Sequence, residues 1–421
     1  MSREMKTSGI SWIGEIPENW DISRTKNYYT NHKYIVGDKS TDYERLALTL
    51  NGVIKRSKND ANGLQPEEFS GYQILRENEL VFKLIDLENV STSRVGLSPY
   101  TGIVSPAYII LEKKNNTNPR YGEYFFLSMW QREIFNHLGD DGVRSSLNSS
   151  DLLNIPYLLP PTSEQQKIAD FLDKKCSEID SVLTKTRESI EEYKKLKQSI
   201  ITQAVTKGIR PNRKMKDSGI EWIGEIPEEW EVSKLKPYLQ WKSIKGFGGE
   251  TVLSLYRDYG VLPKDSRDDN HNVTSLDTDG YKLVEEGDFV INKMKAWQGS
   301  MAVSTLRGIV SPAYHVCSIT SDKIYKPYFH YLLRNKSYLP EYERLSGGLR
   351  IGQWDLSFDD FRQIKFLIPS IEEQKEISQY IETKCKEIDL LIEKKEKLIP
   401  ELETYKKSLI YEYVTGKKEV K

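Results

Sequence analysis

One amphipathic segment, residues 164–205, constrains the fold more than any other part of the sequence. Its apolar residues recur in steps of three, four or seven, which places them on one stripe of a helix with charged residues around it. Thr162 and Gln165 predict a capping box at the start, and Gly208 predicts the end. At about 1.5 Å per residue, this helix is roughly 60 Å long, too long for the core of one small domain. The stripe therefore needs an apolar partner, and its pairing residues are Ile168, Leu172, Cys176, Ile179, Leu183 and Ile190.

The chain repeats this segment near its C-terminal end. Residues 175–180 read Lys-Cys-Ser-Glu-Ile-Asp, and residues 384–389 read Lys-Cys-Lys-Glu-Ile-Asp. Two unrelated surface helices would not share these positions, so we interpret the segments as copies of one helix. Two such helices in one chain can pack side by side and bury both stripes. The pairing residues of the second copy are Ile377, Ile381, Cys385, Ile388 and Ile392.

The duplication extends beyond the helices. The opening motif Ser-Gly-Ile-Ser-Trp-Ile-Gly-Glu-Ile-Pro of residues 8–17 returns at residues 218–227 with one change. The motif Gly-Ile-Val-Ser-Pro-Ala-Tyr of residues 102–108 returns unchanged at residues 308–314. The chain is therefore two tandem copies of one unit, a globular domain followed by a long helix. We predict globular domains at residues 1–160 and 214–369, and long helices at residues 161–213 and 370–421.

Each globular domain is predicted to be α+β. Short apolar runs bounded by turn residues, such as residues 80–83 and 289–292, predict strands. Residues 121–138 and 327–345 carry aromatic side chains at helical spacing and predict helices. The two copies differ most across residues 28–73 and 238–281. We expect the shared segments to do what both domains do alike, and the divergent segments to do what distinguishes them.

Composition excludes several classes of protein. The 61 Lys and Arg residues nearly balance the 62 Asp and Glu residues, so a nucleic-acid function must rest on local basic patches. There is no apolar run long enough for a membrane span and no signal-peptide pattern, so we expect a cytoplasmic protein without membrane contact. Cys176 and Cys385 lie on the helix stripe, where we expect buried thiols rather than a disulfide.

The sequence contains no recognisable catalytic motif. It has neither a Gly-x4-Gly-Lys-Ser/Thr phosphate loop nor a Gly-x-Gly-x-x-Gly turn. Its five histidines lack His-Glu-x-x-His spacing, so we predict no metal site and no catalytic residue. The repeated Ser-Pro-Ala-Tyr is superficially near the Asp/Asn-Pro-Pro-Tyr/Phe motif of adenine methyltransferases. Because it lacks the Asp or Asn, we interpret it as a structural turn into a strand.

Basic, amide and aromatic residues do gather in Gly-rich turns of both copies. Arg and Lys can bind guanine edges or phosphates, and Asn and Gln can bind adenine, although each could also be an ordinary solvated side chain. Arg144 and Arg350 hold equivalent positions in the two copies. The candidate DNA-binding residues are Lys55, Arg56, Lys83, Arg94, Arg144, Ser145 and Asn148 in the first copy, and Arg257, Lys264, Arg267, Lys293, Lys295, Trp297, Gln298, Arg350 and Gln353 in the second.

Together these motifs resemble a known family. The paired Ser-Gly-Ile-x-Trp-Ile-Gly-Glu-Ile-Pro-x-x-Trp openings, the Glu-Gln-x-x-Ile helix starts and the Val-Thr-Lys-Gly of residues 205–208 are similar to the DNA-specificity subunits of type I restriction-modification systems. The resemblance covers essentially the whole chain. It implies two target-recognition domains, each for one half of a split, asymmetric DNA site. It also implies that the two helices form an antiparallel coiled coil with pseudo-twofold symmetry.

The resemblance further implies partners and roles. Two modification subunits would dock on the helices, bind S-adenosylmethionine and methylate adenine in double-stranded DNA. Restriction subunits would cut DNA with ATP and Mg²⁺, and anti-restriction proteins that mimic DNA would be further partners. This chain would bind no cofactor and act as the non-catalytic reader. A fused methyltransferase or nuclease lacks the required motifs, and the remaining alternative is a coiled-coil adaptor that does not read DNA.

Two features depart from the family pattern. Pro400 lies inside the second helix, where proline costs about 3 kcal/mol, so we expect a kink or a break. The second helix also ends in Val-Thr-Gly-Lys at residues 414–417, with the glycine and lysine exchanged relative to the first.

Overall fold

The computed structural model describes residues 3–60, 68–87, 93–114, 116–138, 146–257, 259–267, 277–348 and 354–420. Within these ranges no helix is both long and apolar enough to cross a membrane. The chain divides into two compact units, the first formed by residues 1–186 and 397–421 and the second by residues 187–396. Both long helices contribute to both units.

The first globular domain is α+β, with short strands before and after its helices. Its elements are β1 (Met5–Thr7), β2 (Glu15–Pro17), β3 (Asp21–Arg24), β4 (Tyr29–His32), β5 (Arg45–Thr49), β6 (Gly52–Arg56), β7 (Gln73–Leu75), β8 (Leu80–Phe82), β9 (Val95–Leu97), β10 (Gly102–Val104), β11 (Ile109–Lys113), α1 (Pro119–Gln131), α2 (Ser149–Asn154) and β12 (Pro156–Leu159). The long helix α3 (Thr162–Lys207) follows.

The second globular domain repeats this order. Its elements are β13 (Met215–Asp217), β14 (Glu225–Pro227), β15 (Glu231–Lys234), β16 (Leu239–Lys242), β17 (Leu253–Tyr256), β18 (Gly260–Pro263), β19 (Lys282–Val284), β20 (Phe289–Asn292), β21 (Met301–Val303), β22 (Gly308–Val310), β23 (Tyr314–Ile319), α4 (Lys326–Leu333), α5 (Leu339–Leu345), α6 (Phe358–Phe361) and β24 (Lys365–Ile368). The second long helix, α7 (Ile371–Val414), follows.

One four-stranded antiparallel sheet occurs in both domains. Its order is β4-β11-β8-β9 in the first and β16-β23-β20-β21 in the second. The register is the same in both, because Ile110 faces His32 in one and Val316 faces Lys242 in the other. A second four-stranded sheet in the first domain, β6-β5-β10-β7, corresponds in the second domain to the separate pairs β17-β18 and β19-β22. The divergent segments thus lie mainly on this second sheet.

The predicted strands and the turn at Ser-Pro-Ala-Tyr are confirmed. Residues 105–108 and 311–314 each form a turn, closed by a hydrogen bond from the Tyr108 N–H to the Ser105 carbonyl and its equivalent in the second domain. The two predicted globular helices are shorter than expected. The first stops at Gln131, before Glu133 adopts a positive φ of 59°. The second is interrupted between α4 and α5, where the Asn335 side chain accepts a hydrogen bond from the Ser337 N–H.

Both long helices belong to the core of each unit. In the first unit, Trp20 and Phe125 pack with Leu172 of α3 and with Leu409 and Ile410 of α7. The second unit repeats the arrangement with the opposite ends, because Ala204 and Val205 of α3 join Ile377, Ile381 and Cys385 of α7 around Trp230. Of the assigned pairing residues ten are buried, and Ile392 is half-buried.

The two helices run antiparallel in each unit. In the first unit the rings of Phe171 and Tyr413 lie 4.4 Å apart, and Lys406 binds Asp180 at 2.7 Å. In the second unit Lys395 lies over the ring of Tyr193, and Lys197 binds Asp389 at 2.6 Å. Residue numbers rise along α3 as they fall along α7 in both cases. The predicted antiparallel pairing of the long helices is therefore confirmed.

We expected a kink or a break at Pro400, and the structure contradicts the break. Helix α7 continues through Pro400 from Ile371 to Val414. Pro400 is exposed, and so is Glu396, whose carbonyl loses its helical partner to the proline. That carbonyl lies on the water-facing side, while the neighbouring Ile399 and Leu402 pack against the core of the first unit. Burial of these side chains offsets the lost hydrogen bond.

Candidate nucleic-acid interface

Each globular domain is attached to its own long helix through the last tryptophan of the opening motif. In the first unit the Trp20 indole N–H donates to Glu164 Oε2 at 3.0 Å. Arg3 Nη1 binds the other oxygen of Glu164 at 2.7 Å, and its guanidinium lies 5.4 Å from the centre of the Trp20 ring. Glu164 is in the first turn of α3, so this contact fixes the angle at which the domain meets the helix.

The second unit repeats this contact with deeper burial. The Trp230 indole N–H donates to Glu373 Oε2 at 3.1 Å, and the guanidinium of Arg213 binds both oxygens of Glu373. The side chains of Arg213 and Glu373 are 10% and 4% exposed, whereas those of Arg3 and Glu164 are 20% exposed. The Arg213 pKa is raised, chiefly by its hydrogen bond to Glu373, so the guanidinium stays charged.

The glutamine that follows each of these glutamates has a second structural role. Gln165 Nε2 donates to the Pro160 carbonyl at 2.9 Å, and its Oε1 accepts from the Asn118 N–H at 2.9 Å. Because Gln165 bridges to the start of α1, the predicted capping box with Thr162 is wrong. The corresponding contacts of Gln374 in the second unit are to the Pro369 carbonyl at 2.9 Å and the Tyr325 N–H at 2.8 Å.

Each domain also holds the C-terminal end of a long helix. The Tyr121 hydroxyl donates to the Val414 carbonyl of α7 at 3.1 Å, and the Tyr328 hydroxyl donates to the Val205 carbonyl of α3 at 3.3 Å. A lysine ammonium at each helix end binds the opening motif: Lys417, three residues after α7, binds the Ile13 carbonyl at 2.9 Å, and Lys207, the last residue of α3, binds the equivalent Ile223 carbonyl at 3.3 Å.

Glycine and lysine are exchanged at the end of the second long helix, but the contact between the lysine ammonium and the carbonyls of the opening motif is kept. Gly208 and Gly416 both adopt a positive φ, 76° and 70°, which ends the helix in the left-handed region. In both copies the lysine beside this glycine reaches the same pair of carbonyls, those of Ile13 and Glu15 or their equivalents.

Two basic candidates of the first domain lie on the edge strand β6. Lys55 is exposed, and its Nζ lies 5.3 Å from the centre of the Tyr100 ring. Arg56 is half-buried and binds Asp60 at 2.8 Å. The edge of this sheet thus presents two cations that an aromatic ring and a carboxylate hold in place.

Other candidates of the first domain have structural contacts. Arg94 is fully buried, and its guanidinium donates to the Asp86 carbonyl. Burial lowers the pKa of Arg94 and of the half-buried Lys83, and in Lys83 the Arg94 charge lowers it further. The Asn148 side chain caps α2 by accepting from the N–H groups of Ser150 and Asp151. A DNA contact by Arg94 would require this conformation to open.

In the second domain, four candidates share one loop after β20. Lys293 binds Asp355 at 2.9 Å, whereas Lys295 is exposed. Trp297 lies in a 3-10 turn with Gln298, both half-buried, and its ring is 5.5 Å from that of Trp354 at 66°. Met294, which the sequence did not single out, is 44% exposed in the same loop.

The remaining described candidates of the second domain surround the β17-β18 hairpin. The Arg267 guanidinium lies 4.2 Å from the centre of the Tyr259 ring, and Tyr259 is 61% exposed. Arg257 is exposed in the hairpin turn, and Lys264 follows β18. Arg144, Ser145, Arg350 and Gln353 lie outside the described residues, so their roles stay predictions.

Sequence reasoning missed the roles of Arg3 and Arg213 and the exposed aromatic residues Tyr259 and Trp241. A usable signal existed for the two arginines, because both precede the opening motif at equivalent positions. No comparable signal existed for the aromatic residues. They lie in the segments where the two copies differ, and hydrophobicity alone predicts burial for them.

Comparison with known proteins identifies the family. The model of the type I restriction modification DNA specificity domain matches residues 4–192 and 227–400. The chain belongs to this family. It is therefore a specificity subunit of a type I restriction-modification system, and by family it is non-catalytic.

Relatives support this membership along most of the chain. The type I restriction enzyme MjaVIII specificity subunit of Methanocaldococcus jannaschii is 28% identical over 407 residues, covering 87% of this chain and 86% of that protein. The MjaX specificity subunit of the same organism is 26% identical over 385 residues, covering 88% of each.

Solved structures share the fold. A chain from a study of complex assembly and conformational transition of the type I R-M system covers 95% of this chain and 98% of its own length, with a TM-score of 0.67 and 14% identity. The HsdS subunit of Thermoanaerobacter tengcongensis covers 98% of this chain and all of its own length, with a TM-score of 0.58 and 14% identity.

Proposed function

We propose that this specificity subunit directs adenine methylation and DNA cleavage to a bipartite, asymmetric site, each globular domain reading one half. The observation that carries the proposal is the contrast between the two copies. The contacts that orient each domain on the helices are duplicated residue for residue, from Trp20 and Glu164 to Trp230 and Glu373. The basic and aromatic surfaces are not duplicated, so the two half-sites should differ in sequence.

Phosphate contacts would supply most of the affinity, and a few base contacts the specificity. In the first domain Lys55 and Arg56 offer cations on an edge strand. In the second domain, Lys295 and the Arg267–Tyr259 stack offer cations, and the half-buried Trp297–Trp354 pair offers part of its aromatic surface. Arg and aromatic side chains together suit both phosphate binding and stacking on bases.

The same proposal assigns the outer faces of the helices to two modification subunits. Several large apolar side chains on the helices are exposed instead of facing the core. Where such side chains form a contiguous patch, the patch is typical of surfaces that bind another protein. S-adenosylmethionine would then belong to those subunits, and ATP and Mg²⁺ to the restriction subunits. The exposed residues are Val182, Leu196, Tyr380, Leu390, Leu391, Leu398 and Tyr405.

Exchange of one domain tests this division of labour. We expect that replacing residues 20–160 with the same segment of another specificity subunit changes one half of the methylated sequence, because the helices and their contacts with the second domain are kept. Methylome sequencing of a strain that carries the chimera with its partner subunits measures the result. The matched chimera of residues 230–369 should change the other half. A change of both halves by either chimera would refute the proposal.

A salt titration tests the phosphate contacts. The Lys295 ammonium forms no ion pair with a described residue, whereas Lys293 is paired with Asp355. Lys295→Ala should therefore reduce the slope of log K against log salt by about 0.9, the value for one released counterion. Lys293→Ala is the matched control and should change the slope less. The measurement is DNA binding by the assembled complex, and an unchanged slope for Lys295→Ala would remove Lys295 from the phosphate contacts.

The competing function is a coiled-coil adaptor that does not read DNA. Retention of DNA on nitrocellulose by the complex of this chain with its modification subunits discriminates between the two. An adaptor predicts DNA retention that does not depend on this chain or on the DNA sequence. A reader predicts retention that changes when either globular domain is exchanged.

A further inference from the structure

A cluster of metal-binding side chains lies on the β4-β11-β8 sheet of the first domain. His32 ends β4, Glu79 directly precedes β8, and Glu112 is on β11. One donor atom of each lies within 4.8 Å of the other two. His32 Nε2 is 2.8 Å from Glu79 Oε1, and these two side chains are only 7% and 5% exposed. The three strands thus bring an imidazole and two carboxylates to one point.

Two side chains of this cluster have polar atoms that lack a hydrogen-bond partner among the described residues. His32 Nδ1 is buried and has no hydrogen-bond partner among the described residues. The Glu112 carboxylate likewise forms no hydrogen bond or ion pair with that part of the chain. Glu79 Oε2 accepts from the Arg76 N–H at 2.7 Å, and the half-exposed Arg76 guanidinium approaches Oε1 only to 3.9 Å. Two carboxylates so close together favour an additional cation between them.

The second domain has such a cation at the equivalent position. The shared sheet register aligns Lys242 with His32, Asp288 with Glu79, and Ser318 with Glu112. Lys242 Nζ binds Asp288 at 2.6 Å and Glu285 at 3.3 Å. One copy of the fold therefore fills this position with a covalently attached ammonium. The other copy has a histidine and an extra glutamate there.

We propose that His32, Glu79 and Glu112 bind a divalent first-row transition-metal ion, of which Zn²⁺ is the probe of choice. Imidazole nitrogen and carboxylate oxygen are ligands of such ions, and in the tetrahedral geometry of Zn²⁺ bond lengths of about 2.0–2.2 Å place ligand atoms about 3.4 Å apart. Small side-chain rotations suffice to bring donors within 4.8 Å to that spacing. The sequence predicted no metal site, because these ligands come from three strands and lack local spacing. The proposal does not depend on the function proposed above.

Titration of the full-length chain tests the site. After removal of metals with a chelator, isothermal titration with Zn²⁺ should show one saturable site. His32→Lys should weaken binding about tenfold or more and should keep the fold, because it installs the Lys242 arrangement of the second domain. Glu112→Gln removes a ligand charge without shortening the side chain and should also weaken binding. His137→Gln, which alters an exposed histidine outside the cluster, should leave the affinity unchanged.

Thermal unfolding gives a second measurement. Zn²⁺ should raise the midpoint of the wild-type chain and the His137→Gln chain, because a ligand that binds only the folded state stabilises it. It should not raise the midpoint of His32→Lys. Absence of a saturable site, or equal Zn²⁺ affinity in wild type, His32→Lys and Glu112→Gln, would overturn the proposal.

Discussion

Glu373→Ala should lower the free energy of unfolding of the second unit by about 3–5 kcal/mol, the cost of breaking a buried ion pair by removing one partner. Glu373 accepts from the Trp230 indole N–H and from the Arg213 guanidinium, and all three side chains are nearly enclosed. Alanine would leave the buried Trp230 N–H without an acceptor and the nearly enclosed Arg213 guanidinium with only the exposed Glu229 carboxylate, at 3.2 Å. Urea unfolding followed by tryptophan fluorescence measures the loss, and hydrogen exchange locates it.

Glu164→Ala in the first unit is the matched control. The contacts are the same, but Arg3 and Glu164 are 20% exposed, so water can replace part of what is lost. We expect about 1.5–3 kcal/mol, the range for hydrogen bonds to charged groups. Glu373→Gln keeps an acceptor for Trp230 and removes only the charge facing Arg213. If Glu164→Ala lowered the free energy of unfolding as much as Glu373→Ala, deeper burial would not explain the effect of Glu373→Ala.

Gly416→Ala should have the second largest effect, at the end of helix α7. Gly416 has a φ of 70°, and an added Cβ would lie 2.5 Å from Pro17 Cγ and 3.1 Å from Trp20 Cη2. The left-handed conformation costs a non-glycine residue about 1–2 kcal/mol, and overpacking adds about 1–3 kcal/mol. The proline ring cannot rotate away, so the contact between the helix end and the first domain must open.

Gly9→Ala separates the cost of the left-handed backbone conformation from the cost of the steric clash. Gly9 has nearly the same φ, 72°, but a Cβ there would meet nothing within 4 Å. It should therefore show only the conformational cost. The free energy of unfolding of both variants and the rate of proteolysis near residue 416 are the measurements. If both variants lost the same free energy of unfolding, the contact between residue 416 and Pro17 would rearrange without a free-energy cost.

The helices were the most predictable part of the molecule. A stripe of apolar residues at helical spacing specifies a buried face locally, and the second copy supplied a partner, so the pairing of α3 with α7 followed from sequence alone. Pro400 was misjudged, because its cost depends on whether the freed carbonyl faces water, and sequence does not state that. The breaks at Glu133 and Asn335 were missed because the aromatic spacing continues across them.

The candidate interface was less predictable. Composition identified Lys55, Lys83, Arg94 and Lys295 equally, yet Lys55 and Lys295 are exposed, whereas Lys83 is half-buried and Arg94 is fully enclosed. The sequence states which chemical group each side chain carries. Whether a partner can reach that group depends on strands and loops that are distant in the chain. Contact of any of these residues with DNA stays a prediction.

The sequence by itself determined the duplication, the two long helices, the α+β class and the family, because periodicity and repeated motifs are local or self-matching properties. Only the tertiary structure decided that Glu164 and Glu373 hold the tryptophans, that each helix end returns to a globular domain, and that His32, Glu79 and Glu112 meet. Such contacts join segments far apart in the chain. Their geometry depends on how all the intervening elements pack, and no spacing within one segment encodes it.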